Sequence, residues 1–236
     1  RMNVEAWLSL FAAVLGGALR VGAPFLFVSL GECLTEKSGR VNLGLEGVLV
    51  LSAMAAFGGA YLTGSPWMGV LVGAGCGALL ALLHGLLCSL PRVNDIATGI
   101  ALMMLGMGLA FYLGKPLIQP QAPQLPAIEL GNWSSLPAVR AALQINALLP
   151  IGLLLAVAMA WGFTRTRAGL LVRMAGDSAQ ATRALGYSVA GIRVAATAAG
   201  GFIAGLGGAC LSLFYPGSWN EGISSGQGLI AVALVI

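Results

Sequence analysis

Charged side chains are scarce in this sequence, and their scarcity excludes the water-soluble classes of protein. Asp, Glu, Lys and Arg make up 8% of the 236 residues, hydrophobic residues make up 58%, and the mean hydropathy is +0.91. A soluble domain carries about a quarter charged residues, because most of its surface must be hydrated. The chain is therefore predicted to be an integral membrane protein.

The sequence also lacks the residue patterns of enzymes and metal sites. Its four cysteines stand singly, and His84 and Cys88 together supply too few ligands for a metal site. There is no G-x-x-x-x-G-K-[ST] phosphate loop and no Ser/His/Asp, Ser/Lys or His-Glu-x-x-His set. We expect a non-catalytic chain that binds no metal or cofactor. Its net charge of +4 reflects arginine placement at a membrane rather than nucleic-acid binding.

Long uncharged runs fill most of the chain. Each has roughly the 20 residues that a helix needs to cross the hydrocarbon, and none alternates as a β-barrel strand would. The runs are 47–91, 96–114, 141–164 and 194–220. The sequence predicts one all-α, polytopic helical bundle over residues 1–236. Because the last apolar run stops at Ile236, we expect the C-terminal part of this domain to be truncated.

Basic residues indicate which loops face the cytoplasm. If the apolar segments alternate in direction, residues 32–42, 91–95 and 164–193 lie on one side and contain eight Lys or Arg residues. The loops on the other side contain two, Lys115 and Arg140. The positive-inside rule therefore places the first group in the cytoplasm and predicts external loops at 115–146 and 215–228. The first segment, Val4 to Gly31, is expected to be interrupted by Arg20 and Pro24.

Glycine and alanine lie inside the apolar runs. The segment 198–208, AAGGFIAGLGG, contains small-xxx-small pairs at Gly201/Gly205 and Ala204/Gly208. Small residues let helix backbones approach closely in lipid. We expect these pairs to serve packing within the bundle rather than a dimer.

The basic segment RTRAGLLVRMAGDSAQATRALG, residues 165–186, contains a short helix. Asp177 and Ser178 are predicted helix N-cap residues, and Gly186 is predicted to end the helix after about two turns. A helix this short is only marginally stable alone in water. It would persist if it docks on a partner. Arg173 and Arg183 could pair with acidic groups of that partner or with lipid phosphates. From the residues alone, an ordinary basic loop is an equal alternative.

The stretch SGRVNLGLEG, residues 38–47, brings polar groups to the edge of the second span. Its glycines permit a broken or tightly packed helix, which occurs in membranes where the freed backbone is buried or lines a cavity. An ionisable residue such as Glu46 is a functional candidate by default. Alternatively, Glu46 lies in a first helical turn within reach of the interface. Arg20 could pair with Glu46 or Glu32.

Four stretches together resemble one family. VRMAGDSAQATRALGYSVAGIRV (172–194) resembles the cytoplasmic coupling segment of ABC-transporter permeases of the ribose, nucleoside and branched-chain amino-acid class. The other stretches similar to this family are GECLTEKSGRVNLGLEGVLVLSA (31–53), NDIATGIALMMLGMG (94–108), and GLGGACLSL with GQGLIAVALVI. The nearest branch is the nucleoside permeases served by basic-membrane-protein-type receptors. Ser178-Ala179 and Met103 depart from that pattern, which has Asn-Pro and Asn there.

The resemblance implies a permease subunit of an ATP-binding-cassette importer in a bacterial inner membrane. It implies a partner ATPase that uses ATP and Mg²⁺, a second, similar permease in a homo- or heterodimer, and an extracytoplasmic solute-binding protein or lipoprotein. Nucleosides are the expected solutes, with ribose-like sugars or purine bases as alternatives. An ATP-independent secondary transporter or channel is the alternative from another class. Such a protein would require carboxylates for a coupling ion deep in several helices.

The resemblance also distributes roles among residues. The implied ATPase-coupling residues are Arg173, Gly176, Asp177, Ser178, Arg183 and Gly186. Those expected to line the translocation pathway are Asn42, Gly44, Glu46, Gly47 and Met103. Trp219, Asn220 and Glu221 are expected to face outward toward a receptor, although Trp219 could equally anchor the chain at the membrane interface.

Overall fold

A computed structural model describes residues 4–129, 139–140, 143–214 and 217–236, with side chains from Trp7 onward. The predicted external loops at 115–146 and 215–228 therefore lie partly outside the described residues. The helices are α1 Val4–Lys37, α2 Leu45–Thr63, α3 Pro66–Leu87, α4 Asp95–Gly114, α5 Leu148–Arg165, α6 Arg167–Asp177, α7 Ala179–Ala184, α8 Val189–Leu213 and α9 Gln227–Ala233.

Six of the described helices are long and apolar enough to cross a membrane, namely α1 to α5 and α8. This confirms the predicted all-α polytopic architecture. A short antiparallel ribbon of β1 (Ala127–Glu129) and β2 (Gln144–Asn146) was not predicted. It lies within the long loop between α4 and α5.

The first span is continuous, so the predicted interruption at Arg20 and Pro24 is wrong. Pro24 lies inside α1 without ending it, and its carbonyl packs close to Gly207 of α8. Neighbouring helices make proline tolerable in membrane helices. Arg20 Nε donates to the Gln144 carbonyl at 3.1 Å. The suggested pairing with Glu32 is also wrong, because twelve helical residues separate the two side chains by roughly 18 Å.

The centre of the bundle is α8, which packs against α1, α2 and α3. Its small residues lie directly on the backbones of these neighbours. A Cβ at Gly201 would meet the Gly77 carbonyl, and a Cβ at Gly208 would lie 2.7 Å from the backbone of Leu49 and Ala53. The prediction that the small residues pack helices within the chain is confirmed.

The chain between α1 and α2 is not helical and is largely buried. Residues 38–44 connect the two helices, and Ser38, Asn42 and Gly44 have little exposed surface. The predicted break therefore lies between two spans, with its backbone covered by protein, as a membrane requires.

Two ends of the bundle can be distinguished by charge. The arginine-rich end is the one where residues 38–44, the α3–α4 turn and residues 166–188 meet. There Arg40 pairs with Asp95, and Arg193 bonds Ser38 and Ala175. At the opposite end, Leu125 N donates to the Leu213 carbonyl at 2.9 Å. The three loops predicted to be cytoplasmic are thus neighbours at one end.

We expect Gly77→Ala to destabilise the bundle. Its Cβ would contact the Gly201 carbonyl and Gly205 Cα, so α3 and α8 must separate, at a cost of about 1–3 kcal/mol. Thermal unfolding in detergent should show a lower Tm. Gly75→Ala is the matched control on α3, since nothing lies within 4 Å of a Cβ there. Equal Tm values for the two variants would contradict this packing.

Candidate functional site

The predicted coupling segment consists of two helices at the arginine-rich end. Thr166 separates α5 from α6, and its Oγ1 accepts the Gly169 N–H at 3.0 Å. Ser178 separates α6 from α7, and its Oγ accepts the Ala181 N–H at 3.2 Å. Each break in the helix is thus made by a hydroxyl that satisfies a backbone donor of the next helix.

Of the two predicted N-cap residues, Asp177 and Ser178, one is the N-cap in the structure. Ser178 is the N-cap of α7, whereas Asp177 is the last residue of α6, so the prediction of an Asp177 cap is wrong. Gly186 ends α7 as predicted: its φ is +83°, and its N–H donates to the Arg183 carbonyl at 2.9 Å. The Tyr187 N–H reaches back to Thr182, which completes a Schellman turn.

Most of α7 is exposed. Of its six residues, Thr182 is the one that is buried, and Arg183 is exposed. Beside α7 and α6 lies a groove of about 490 Å³ lined by Arg167, Leu170, Leu171, Met174, Leu185 and Tyr187. Arg173 lies on α6, and its Nη1 reaches the Phe163 carbonyl at 3.4 Å. This end of the molecule therefore presents a basic surface with apolar side chains in it.

The coupling segment touches the α1–α2 connection at Gly176. A Cβ at this position would clash with the Lys37 carbonyl, and Gly39, with φ +86°, lies opposite. Arg193 of α8 adds two hydrogen bonds, from Nε to Ser38 O and from Nη2 to Ala175 O, each 3.0 Å long.

A salt bridge joins the same connection to α4. Arg40 Nη1 lies 2.6 Å from Asp95 Oδ1, and His84 Nε2 donates to the Asp95 carbonyl at 3.2 Å. Asn94 caps α4, since its Oδ1 accepts the N–H groups of Ile96 and Ala97. Burial raises the pKa of the Cys88 thiol to about 11, with Asp95 adding to the effect, so it brings no charge here at neutral pH.

Glu32 fixes the backbone of the connection from inside the bundle. This fully buried carboxylate accepts the Asn42 N–H at 2.9 Å, and Asn42 Oδ1 accepts the Gly44 N–H at the same distance. Two N–H groups without helical partners are thereby satisfied. Asn42 Nδ2 and Glu32 Oε2 are buried without a hydrogen-bond partner.

Glu46 likewise accepts backbone N–H groups, in this case from the segment 224–229. Its side chain is 3% exposed and accepts four hydrogen bonds: from Ser224 Oγ at 2.5 Å and from the N–H groups of Gly226, Gly228 and Leu229 at 3.1, 2.6 and 3.3 Å. Glu46 does lie in the first turn of α2, yet its carboxylate is held inside the protein rather than at the interface. Its acceptors are used by residues 224–229, so the suggested pairing with Arg20 is wrong.

Residues 217–226 enter the bundle from the opposite end. Trp219 packs on Gly114 at the end of α4, whereas Glu46 lies beside Gly47, which contacts Gly106. Eight helical residues separate Gly106 from Gly114, so the segment descends about 12 Å along α4. From this depth, α9 packs on α1 and α2.

The outward orientation predicted for Trp219 is wrong. Its side chain is 1% exposed, because the segment turns into the bundle and places the indole against α4. In the conformation described, this side chain is exposed neither to a receptor nor to the membrane interface. Asn220 and Glu221 are exposed, and their contact with a receptor stays a prediction.

The other residues predicted to line a pathway lie where the start of α2 meets α4. Gly44 faces Gly99, and a Cβ on Gly47 would lie 2.6 Å from Met103 Cα. Both glycines are buried, while Met103 is half-buried. The structure therefore brings Asn42, Gly44, Glu46, Gly47 and Met103 together between α2 and α4. Their role in transport stays a prediction.

Comparison with known proteins identifies the family. Residues 13–236 match the family described as branched-chain amino acid transport system / permease component. The chain belongs to this permease family. Together with the six helices able to cross a membrane, membership of this family makes the permease a multi-pass protein of the inner membrane.

Individual relatives are permeases of nucleosides and sugars. "Putative glucose ABC transporter permease protein TsgC13" of Haloferax volcanii is 33% identical over 234 residues, which cover 97% of this permease and 71% of that protein. Nucleoside ABC transporter permease protein NupC of Lactococcus lactis is 29% identical, with 100% and 77% covered. Guanosine ABC transporter permease protein NupQ of Bacillus subtilis is 25% identical, with 96% and 75% covered. No solved structure matches the permease.

Three residues in these contacts were missed by sequence reasoning. Glu32 carried a signal, since it is an ionisable residue next to an apolar run, but it was considered only as a partner of Arg20. Ser224 and Arg193 carried none, because their partners lie 178 and 155 positions away in sequence.

Proposed function

We propose that this permease is the pathway-forming subunit of an ATP-binding-cassette importer, with residues 164–193 in the cytoplasm. A separate ATPase, using ATP and Mg²⁺, binds α7 and its flanks. A second, similar permease and an extracytoplasmic solute-binding lipoprotein complete the importer. This chain binds no nucleotide and performs no chemistry.

The exposed surface of α7 carries this proposal. Leu185 and Tyr187 are 63% and 48% exposed although they belong to a tightly capped turn, and Arg183 lies beside them. Rigid apolar groups with a basic neighbour suit a protein partner with an acidic, partly apolar cleft. We propose the coupling residues that the resemblance implies: Arg173, Gly176, Asp177, Ser178, Arg183 and Gly186.

We expect Gly186→Pro to abolish solute-stimulated ATPase activity in the reconstituted complex. Proline holds φ near −65° and has no N–H, so it can adopt neither the left-handed backbone nor the bond to Arg183. Gly186→Asn is the matched control, because asparagine tolerates this conformation. Deletion of residues 177–185 should have the effect of Gly186→Pro. Unchanged stimulation with either disruptive change would refute the coupling role.

The solute is proposed to be a nucleoside. Two of the relatives described above are named for nucleosides or guanosine, and the resemblance in the sequence points to the same branch. A sugar is the second candidate, since a further relative is named for glucose. Both classes carry several hydroxyl groups on a ring.

Thermal shift of the associated solute-binding lipoprotein tests this assignment. We expect purine or pyrimidine nucleosides to raise its Tm, because a ligand stabilises the folded state to which it binds. Free bases, ribose and glucose serve as comparisons in the same screen. A shift with glucose or ribose alone would replace the nucleoside assignment with a sugar.

The translocation pathway is proposed to pass along residues 42–47 and Met103. Residues 42–44 are non-helical, residues 45–47 begin α2, and this stretch packs on α4 at Gly99 and Met103, while the carboxylate of Glu46 binds residues 224–229. We infer that these hydrogen bonds of Glu46 keep the pathway closed in the conformation described. The segment 217–226 must then move for solute to pass.

We expect Glu46→Gln to impair solute uptake while leaving assembly of the complex intact. The amide keeps the shape, but it replaces one acceptor oxygen with an N–H₂ group that faces backbone donors. Ser224→Ala removes one bond to the same carboxylate and should have a smaller effect, whereas Ser218→Ala, at an exposed position of the same segment, is the control. Uptake of labelled nucleoside into proteoliposomes measures all three. Normal uptake by Glu46→Gln would reduce Glu46 to a helix-end residue.

A further inference from the structure

One guanidinium connects the two parts of the molecule to which a function has been proposed. Arg193 lies in the second turn of α8, and neither of its hydrogen bonds is made within that helix. Nε donates to Ser38 O in the α1–α2 connection, and Nη2 donates to Ala175 O in α6. Both bonds are 3.0 Å long, and the side chain is partly buried.

We propose that Arg193 is the positioning residue that transmits motion of the coupling segment to residues 42–47, along which the pathway is proposed to pass. This inference rests on the proposed coupling function and goes beyond it, because it names where the movement enters the bundle. The chain of contacts runs from α6 through Arg193 to residues 38–40, and from there to residues 42–47.

Backbone contact at the same place gives the connection its stiffness. Gly176 and Gly39 approach so closely that a Cβ on Gly39 would lie 3.0 Å from Gly176 Cα and 2.8 Å from Arg193 Nη2. There is no intervening side chain that could absorb a displacement of α6. A shift of α6 must therefore move the α1–α2 connection or break the bond from Arg193 Nη2 to the Ala175 carbonyl.

Residues beyond this contact are held on both sides. Arg40 is fixed to α4 by its salt bridge with Asp95, and the Asn42 N–H is fixed to α1 by Glu32. Displacement of residues 38–40 thus acts on the α4 pairing and on the lead-in to Glu46. The exposed arginines Arg173 and Arg183 meet the partner, whereas Arg193 acts inside the permease.

Arginine suits this task better than lysine. Its guanidinium is planar and presents donors in a fixed fork, so it can bond two carbonyls of different segments at once. An ammonium on a lysine keeps the charge but not that geometry. The expected loss for Arg193→Lys is therefore a loss of transmission rather than of basic charge at this end.

The test uses the complete importer in proteoliposomes, with ATPase, second permease and solute-binding protein. We expect Arg193→Lys to keep co-purification with the ATPase and its basal hydrolysis, and to lower solute-stimulated hydrolysis and uptake roughly tenfold, the scale of one lost charge-assisted hydrogen bond. Arg92→Lys, on the exposed α3–α4 turn, is the matched control and should behave like the unmodified protein.

A second variant keeps the inference testable if Arg193→Lys does not assemble. Gly39→Ala leaves Arg193 in place, but its Cβ would lie 2.8 Å from Arg193 Nη2 and 3.0 Å from Gly176 Cα, so it should uncouple hydrolysis from uptake in the same way. Full stimulation in an assembled Arg193→Lys complex would overturn the proposal. So would loss of ATPase binding in both variants, which would assign the contact to folding. If the unmodified permease does not co-purify with the ATPase, the proposed function itself is refuted.

Discussion

Every backbone N–H buried in this bundle needs an acceptor within the protein, because lipid offers none. The interiors of the helices meet this requirement by themselves, but the connection 38–44 and residues 224–229, which include the first turn of α9, need acceptors from side chains. Two buried carboxylates supply some of these acceptors: Glu32 accepts the Asn42 N–H, and Glu46 accepts the N–H groups of Gly226, Gly228 and Leu229. The non-helical parts of the permease can lie deep in the bundle because of these two side chains.

Close helix packing determines where these carboxylates lie. Glycines on α8 allow α1, α2 and α3 to approach to backbone distance, and this fixes Glu32 and the start of α2 relative to each other. Residues 224–229 then bind at one place in the bundle, beside Gly47. Gly228 shows how tight this place is, since a Cβ there would lie 2.6 Å from a Glu46 carboxylate oxygen. Packing of small residues and pairing of polar groups are therefore parts of one constraint.

The outcome for individual residues shows how far local sequence reasoning reaches. Ser178 was predicted as an N-cap and Gly186 as the end of its helix, and both are, because a cap depends on the backbone of its own turn. Trp219 was predicted outward and is buried, because its position depends on a segment folding back into the bundle. The continuous α1 was missed for a similar reason: the cost of Pro24 is offset by packing against another helix.

By itself, the sequence determined the membrane class, the spans, the small-residue packing and the helix ends of the coupling segment, since hydropathy and capping act within a few turns of the chain. The resemblance of its motifs also placed it in the right family. Only the tertiary structure decided which groups satisfy Glu32, Glu46 and Arg193. Each of these side chains bonds backbone or hydroxyl groups that every sequence contains in abundance, so the choice among them is made by how the helices pack.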